Sequence, residues 1–314
     1  MSALPVQQAH TLLSVPEEGR WLIDGLWAEQ GVGIVGGEPK CCKSFLALDM
    51  AVAVASGRAC LRHFRVVRPG RVLLYAAEDA LHVVRERLEG ICRAAGIDLP
   101  ALDIQVITVP TLRLDRHDDQ KRLDETIAAL APRLLILDPF VRLHRIDENV
   151  SSEVAPLLAH LRELERHHRV AVVLVHHARK GGGARPGQAL RGSSELHAWG
   201  DSNLYLQRTR DQLTLTIEHR AAASPPSMAI ELRADGDALA LRLVGEPTAA
   251  TAPVAPSQSD RVLEALALST QPMRIKNLRE VCRMRMETLC ELLAELVTDG
   301  RVRKLDSGYV IANR

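Results

Sequence analysis

The chain has 314 residues, 46% of them hydrophobic, and its 40 basic and 39 acidic side chains leave a formal charge of +1. That length suits one large α/β domain with a small companion, and the near-neutral balance excludes a global field that draws the protein to nucleic acid or membrane. Only 3% of the residues are aromatic, so platforms for stacking bases are scarce. The six cysteines (41, 42, 60, 92, 282 and 290) show no C-x-x-C spacing. No secretory segment is visible, and no apolar run nears the roughly 20 residues of a membrane span, so a reducing, cytoplasmic setting without a membrane partner is expected.

In chain order, WLIDGLWAEQ closes the first thirty residues as a lid or edge segment leading into the core. GVGIVGG is a short apolar run closed by glycines and reads as a buried strand. FLALDMAVAVASG follows with Phe45, Leu48, Val52 and Ala55 at helical spacing and Gly57 as a stop. Further strands are expected in RVLLYAA (71–77), IQVITV (104–109), RLLILD (133–138) and VAVVLVHH (170–177), with amphipathic helices between most of them. Near-continuous apolar strands alternating with helices predict an α/β fold with a mostly parallel sheet covered on both faces. After residue 200 the pattern changes to NLYLQRTRDQLTLTIEHR and MAIELRADGDALALRLV, which predict antiparallel strands at the end of the sheet. Residues 248–258 form a Pro-, Ala- and Thr-rich linker between a domain over 1–247 and one over 259–314.

The stretch GGEPKCCKS (36–44) departs by one letter from the phosphate-loop pattern G-x-x-x-x-G-K-[ST]. Its candidate nucleotide contacts are Gly37, Glu38, Pro39, Lys40, Cys41, Cys42, Lys43, Ser44 and Phe45. The strand before it and the helix after it are the context such a loop requires. Backbone N–H groups and the positive helix end cradle phosphates. Lys43 reaches the β- and γ-phosphates of ATP, and Ser44 ligates Mg²⁺. Cys42 stands where the second glycine belongs, and its β-carbon and sulfur are expected to weaken ATP binding. Its thiol, at a helix N-terminus beside Lys43, is expected to favour the thiolate.

RLLILD ends in Asp138, the form of a Walker-B strand whose carboxylate orients the metal or its water. RVLLYAAEDA sets Glu78 and Asp79 just past another strand end. Glu78 suits a general base for the attacking water, and Asp79 suits the N-cap of the next helix. His176 and His177 stand at a fourth strand tip, and His176 is taken as the γ-phosphate sensor. A satisfied strand-end histidine is the plainer alternative for His177.

Together, WLIDGLWAEQGVGIVGGEPKCCKSFLALDMAVAVASG, LLYAAEDALHVVRERL, ILDPFVRLHRIDENVSSEVAPLLAHLREL and VLVHHARKGGGARPGQALRGSSELHAWGDSNLYLQR resemble the RecA-like ATPases of the RepA type, over roughly residues 20–245. That family includes hexameric helicases of plasmids and mobile elements and related replication or regulatory proteins. The resemblance implies a RecA-like P-loop core, a homo-hexameric or other closed ring, and ATP held between neighbouring copies. It also implies an arginine finger, which Arg220 in TIEHRAAASP matches; the frequent companion lysine is here Glu218. Loops after the Asp138 and histidine strands, RLHRIDENVSSE (142–153) and ARKGGGARPGQALRG (178–192), would line the channel. Arg179, Lys180, Arg185 and Arg191 in the second suit backbone contacts to single-stranded DNA.

The last segment predicts three helices and a strand pair around DSG, the order of a winged helix-turn-helix. Its METLCELLAELVTD helix carries a core stripe of Leu289, Leu292, Leu293 and Leu296 and an acidic face of Glu287, Glu291 and Glu295. Basic residues precede it (Arg274, Lys276, Arg279, Arg283 and Arg285) and lie in the wing (Arg301, Arg303 and Lys304), so the module suits duplex DNA through its basic groups or protein through its acidic helix. Three readings stay open at the sequence level: a ring ATPase acting on DNA in replication or maintenance of a plasmid or mobile element, a nucleotide-responsive regulator with weak or no turnover, and a decayed ATPase serving as a scaffold.

Overall fold

The apolar runs GVGIVGG, RVLLYAA, IQVITV, RLLILD and VAVVLVHH each supply a strand of one nine-stranded sheet in the computed structural model. Residues 4–12, 17–177, 194–209 and 212–244 are described, with 262, 265–266, 269, 272–282, 284, 286–298, 301–305 and 308–311 towards the C-terminus. A two-stranded entry comes first, β1 (Trp21–Ile23) paired with β2 (Trp27–Ala28). Trp27 is fully buried there, and its indole donates to the Gly31 carbonyl at 3.2 Å.

The sheet then takes β3 (Val32–Gly37), β4 (Val72–Ala76), β5 (Ile104–Val106), β6 (Leu134–Asp138) and β7 (Ala171–His177) as parallel strands. It continues through β8 (Ser202–Thr209), parallel to β3, into the antiparallel β9 (Gln212–His219), β10 (Met228–Asp235) and β11 (Ala238–Leu243). The spatial order is β11-β10-β9-β8-β3-β7-β6-β4-β5. Adjacent parallel strands distant in sequence require helical crossovers. These are α1 (Lys43–Ser56), α2 (Leu81–Ala95), α3 (His117–Leu130) and α4 (Ser151–His168), followed by the short α5 (Ser194–Trp199).

In α1, Leu46, Met50 and Val54 recur every four residues and are fully buried. Each contributes about 2 kcal/mol by leaving water. Gly57, left-handed at φ 74°, ends the helix by donating to the Ala53 carbonyl. The sheet divides the core into two faces. Val173 and Val175 of β7 pack with α1, whereas Val172 and Leu174 pack with Val154, Leu158 and Leu161 of α4.

The chain divides into two compact units, residues 1–250 and 251–314. The second holds α6 (Ile275–Cys282), α7 (Met286–Thr298) and the hairpin β12 (Val302–Leu305) with β13 (Gly308–Ile311). Its core includes Val262, Leu278, Leu289, Leu293, Leu296 and Val302, while Leu292 is half-buried. Among the described residues, no helix is long and apolar enough to cross a membrane.

Candidate nucleotide-binding site

Parallel β3, β4, β6 and β7 all end on one edge of the sheet, so their C-terminal residues converge. Between β3 and α1 the chain turns through residues 38–42. Lys40 and Cys42 both take φ 65°, the left-handed region that glycine enters freely. For Cys42 (ψ 25°) the β-carbon costs about 1 kcal/mol. The second glycine of the usual pattern is therefore asked for by backbone conformation as well as by room for phosphates. Gly37 has no substitute, since a β-carbon there would stand 2.3 Å from the Leu206 carbonyl oxygen and 2.6 Å from the Cys41 sulfur.

Lys43 opens α1 and is only 5% exposed. Its ammonium donates to the Glu38 carbonyl at 2.8 Å, within the loop itself. Burial lowers its pKa, opposed chiefly by Cys41 and Asp138. The Cys41 thiol also donates to the Glu38 carbonyl, at 2.8 Å. Burial pushes both Cys41 and Cys42 thiols up despite Lys43. The thiolate expected at Cys42 is thus disfavoured: desolvation outweighs the neighbouring cations.

Asp138 ends β6 at 9% exposure. Burial pushes it up to about 6, a hydrogen bond with Ser44 opposes that shift, and the nearby Asp79 charge reinforces it. Glu78, half-way out of the cleft, accepts from Nε of Arg142 at 2.8 Å. The cleft enclosed by these groups has a volume of ≈ 280 Å³, and its walls include Lys43, Ser44, Glu78, Asp138 and His177. A buried ammonium beside a hydroxyl and a carboxylate, both hard oxygen donors, fits a nucleotide phosphate with Mg²⁺. That ion takes few protein ligands and completes its shell with water and phosphate.

Two sequence expectations are corrected by placement. His176 is not in the cleft. It is 1% exposed on the opposite face, with its ring 5.9 Å from Phe140 and Nδ1 4.0 Å from Glu148. Successive strand side chains alternate faces, so His177 lines the cleft instead. Asp79 does not cap α2 either. Ala80 holds the N-cap position with no side-chain cap, and Asp79 faces the cleft, bonded through both carboxylate oxygens to Arg87.

Sequence reasoning missed the two arginines at this edge. Arg87 lies with its guanidinium 5.2 Å over the Phe45 ring. Arg208, at the end of β8, brings Nη2 to 3.9 Å from the Cys42 sulfur. The parallel register Gly37↔Leu206 sets residue 208 beside the loop. No local pattern in the sequence carries that register.

Arg220 lies at the other edge. Its N–H donates to the Asp201 carbonyl at 2.9 Å, and Asp201 bonds Val32 at the start of β3. Its guanidinium bonds the Ala198 carbonyl and lies 3.6 Å from the Asp201 carboxylate. Arg220 therefore cannot reach the cleft of its own chain. Glu218 pairs with His197 at 2.9 Å. Arg301, Arg303 and Lys304 are exposed around β12, whereas Arg179, Lys180, Arg185 and Arg191 lie outside the described residues, as do the side chains of Glu287, Glu291 and Glu295.

A strand–loop–helix cradle with a strand-end acid beside it defines a P-loop nucleotide-binding protein. The chain belongs to the AAA domain family, whose model matches residues 2–183. Its fold, a RecA-like P-loop ATPase core, is also that of two solved structures. The crystal structure of the RadB recombinase superposes with a TM-score of 0.50 at 16% identity, over 71% of this chain and 93% of that one. The second, an ATPase domain, superposes with a TM-score of 0.50 at 14% identity, over 68% of this chain and 84% of that one. At such identities the likeness is one of fold.

Proposed function

We propose that the protein is a Mg²⁺-dependent ATPase of the RepA-like kind that assembles into a ring and acts on DNA. The observation that carries this reading is the convergence of Lys43, Ser44, Glu78 and Asp138 on one cleft at the sheet edge. Lys43 holds the β- and γ-phosphates. Ser44 and Asp138 hold the metal, which when bound offsets the phosphate charge. Glu78 orients the attacking water, with Arg142 fixing its carboxylate, and His177 takes the sensor place beside the γ-phosphate. Because Arg220 sits on the opposite edge, its finger role requires a neighbouring copy, which favours a ring over a monomer. The two similar structures are of a recombinase and of an ATPase domain, in keeping with an ATP-driven machine.

DNA is assigned to the segments 142–153 and 178–192, the second of which lies outside the described residues, and for the C-terminal unit to a winged helix-turn-helix with Arg301, Arg303 and Lys304 in its wing. Replication or maintenance of a plasmid or mobile element is the setting the RepA resemblance supplies. A second reading, a nucleotide-responsive regulator with weak turnover, is favoured by one feature: Cys42 in a left-handed conformation at the phosphate cradle. Phosphate release measured with and without single-stranded DNA separates the two. Stimulation by DNA supports the DNA-acting ATPase, and turnover indifferent to DNA supports the regulator.

A further inference from the structure

At the N-terminal ends of β3 and β8, a full strand length from the phosphate loop (roughly 17 Å along β3), lies a second cavity of ≈ 580 Å³. That volume is within the range of sites for drug- and cofactor-sized molecules. Its walls carry five arginines against three acids: Arg20, Arg68, Arg162, Arg166 and Arg220 face Glu29, Glu165 and Asp201. The acids are largely committed. Arg162 is held by Asp201 at 2.5 Å and by Glu165 at 3.5 Å, and Arg220 also leans on Asp201. Arg20, Arg68 and Arg166 make no ion pair among the described residues. The cavity thus keeps a surplus of positive charge where a guanidinium fork can take phosphate oxygens in pairs.

A second feature asks for more than an anion. The Glu29 side chain is 9% exposed, and one of its oxygens pairs with Arg133 at 3.1 Å. Its Oε2 is buried with no hydrogen-bond partner. An unpaired buried acceptor costs about 1–3 kcal/mol, so it favours a ligand that brings an N–H or O–H donor. Trp21 and His219, packed edge-on with centroids 4.7 Å apart, add an aromatic wall. Burial lowers the His219 pKa, which keeps that wall uncharged.

We infer that this cavity binds a nucleoside polyphosphate of its own, distinct from the one in the phosphate loop. Arg68 and Arg166, with Arg20, take the phosphates. Glu29 accepts from a ribose hydroxyl or base amine, and the base lies against Trp21 and His219. Inorganic polyphosphate alone leaves Glu29 unanswered.

The test counts bound ATP by equilibrium dialysis on the full chain, with inorganic tripolyphosphate as competitor. Two ATP per chain are expected for the wild type and one for Lys43→Ala. Adding Arg68→Glu and Arg166→Glu to Lys43→Ala should weaken the remaining site at least tenfold, and the Gln pair should reproduce the loss in a chain whose melting temperature is unchanged. Glu29→Gln in the Lys43→Ala background should reduce binding of ATP more than of tripolyphosphate. No binding to Lys43→Ala overturns the inference, as does residual binding indifferent to the arginine changes. Arginine effects seen only in assembled wild type would mean that the cavity meets a neighbour's nucleotide, which also overturns it. Failure of the phosphate-loop reading would look different: Lys43→Ala would bind as the wild type does.

Discussion

The ammonium of Lys43 sits 2.8 Å from the Glu38 carbonyl oxygen, five residues back in the same loop. A phosphate entering the cradle must take the ammonium from that carbonyl, so the loop exchanges one acceptor for a charged one. In the same loop Cys42 holds a left-handed conformation at φ 65°, where a glycine stands in the usual phosphate-loop pattern.

Cys42→Gly is expected to raise ATP affinity several-fold and to leave the fold at least as stable, since glycine relieves about 1 kcal/mol of left-handed strain. Calorimetric titration checks the affinity, and thermal melting checks the stability. Unchanged affinity would mean that the Cys42 side chain does not crowd the phosphates.

The two neighbouring histidines are expected to behave differently. His177→Ala should lower turnover with little change in melting temperature, because its side chain faces the cleft. His176→Ala should cost about 2 kcal/mol of stability, because it empties a packed position beside Phe140. Paired kinetic and denaturation measurements on both variants decide the assignment; the reverse pattern would return the sensor to His176.

Asp49 in α1 is 2% exposed at its side chain and is held by Arg62 and by the Leu61 N–H at 2.7 Å. Burial raises the Asp49 pKa, with Arg62 as the chief opposing influence. Arg62→Met leaves that carboxyl buried without its cation and should destabilise the first unit by about 3 kcal/mol. Asp49→Asn together with Arg62→Met should recover part of the loss in a double-mutant cycle by urea denaturation.

If Arg220 completes a neighbour's site, Lys43→Ala and Arg220→Ala should each lose turnover alone and regain part of it when mixed. In a mixed ring, an intact cleft of the Arg220→Ala chain meets the intact Arg220 of the other. Mixtures no more active than their separate components would remove Arg220 from the neighbour's cleft.

Much of the site is readable in the residues because parallel β/α folds mark their own strand tips. Apolar runs ending in Gly37 and Asp138, and a run followed directly by Glu78, set those tips, and a helix after Cys42 sets the cradle. What cannot be read depends on facing. β7 is apolar on both sides, so no alternation distinguishes His176 from His177. The register with β3, which pairs Gly37 with His177, comes from tertiary pairing alone. Asp79 has the local form of a cap because capping is a local rule, but Arg87, eight residues on, outcompetes it. The second cavity draws Arg20, Arg68, Arg166 and Arg220 from four separate places in the chain, and only the fold brings them together.

The ATPase assignment rests on Lys43, and ATP hydrolysis by the wild type beside Lys43→Ala tests it most directly. Measurable phosphate release is expected from the wild type with Mg²⁺, and at least a hundredfold less from Lys43→Ala at an unchanged melting temperature. Equal release from the two proteins would contradict the assignment.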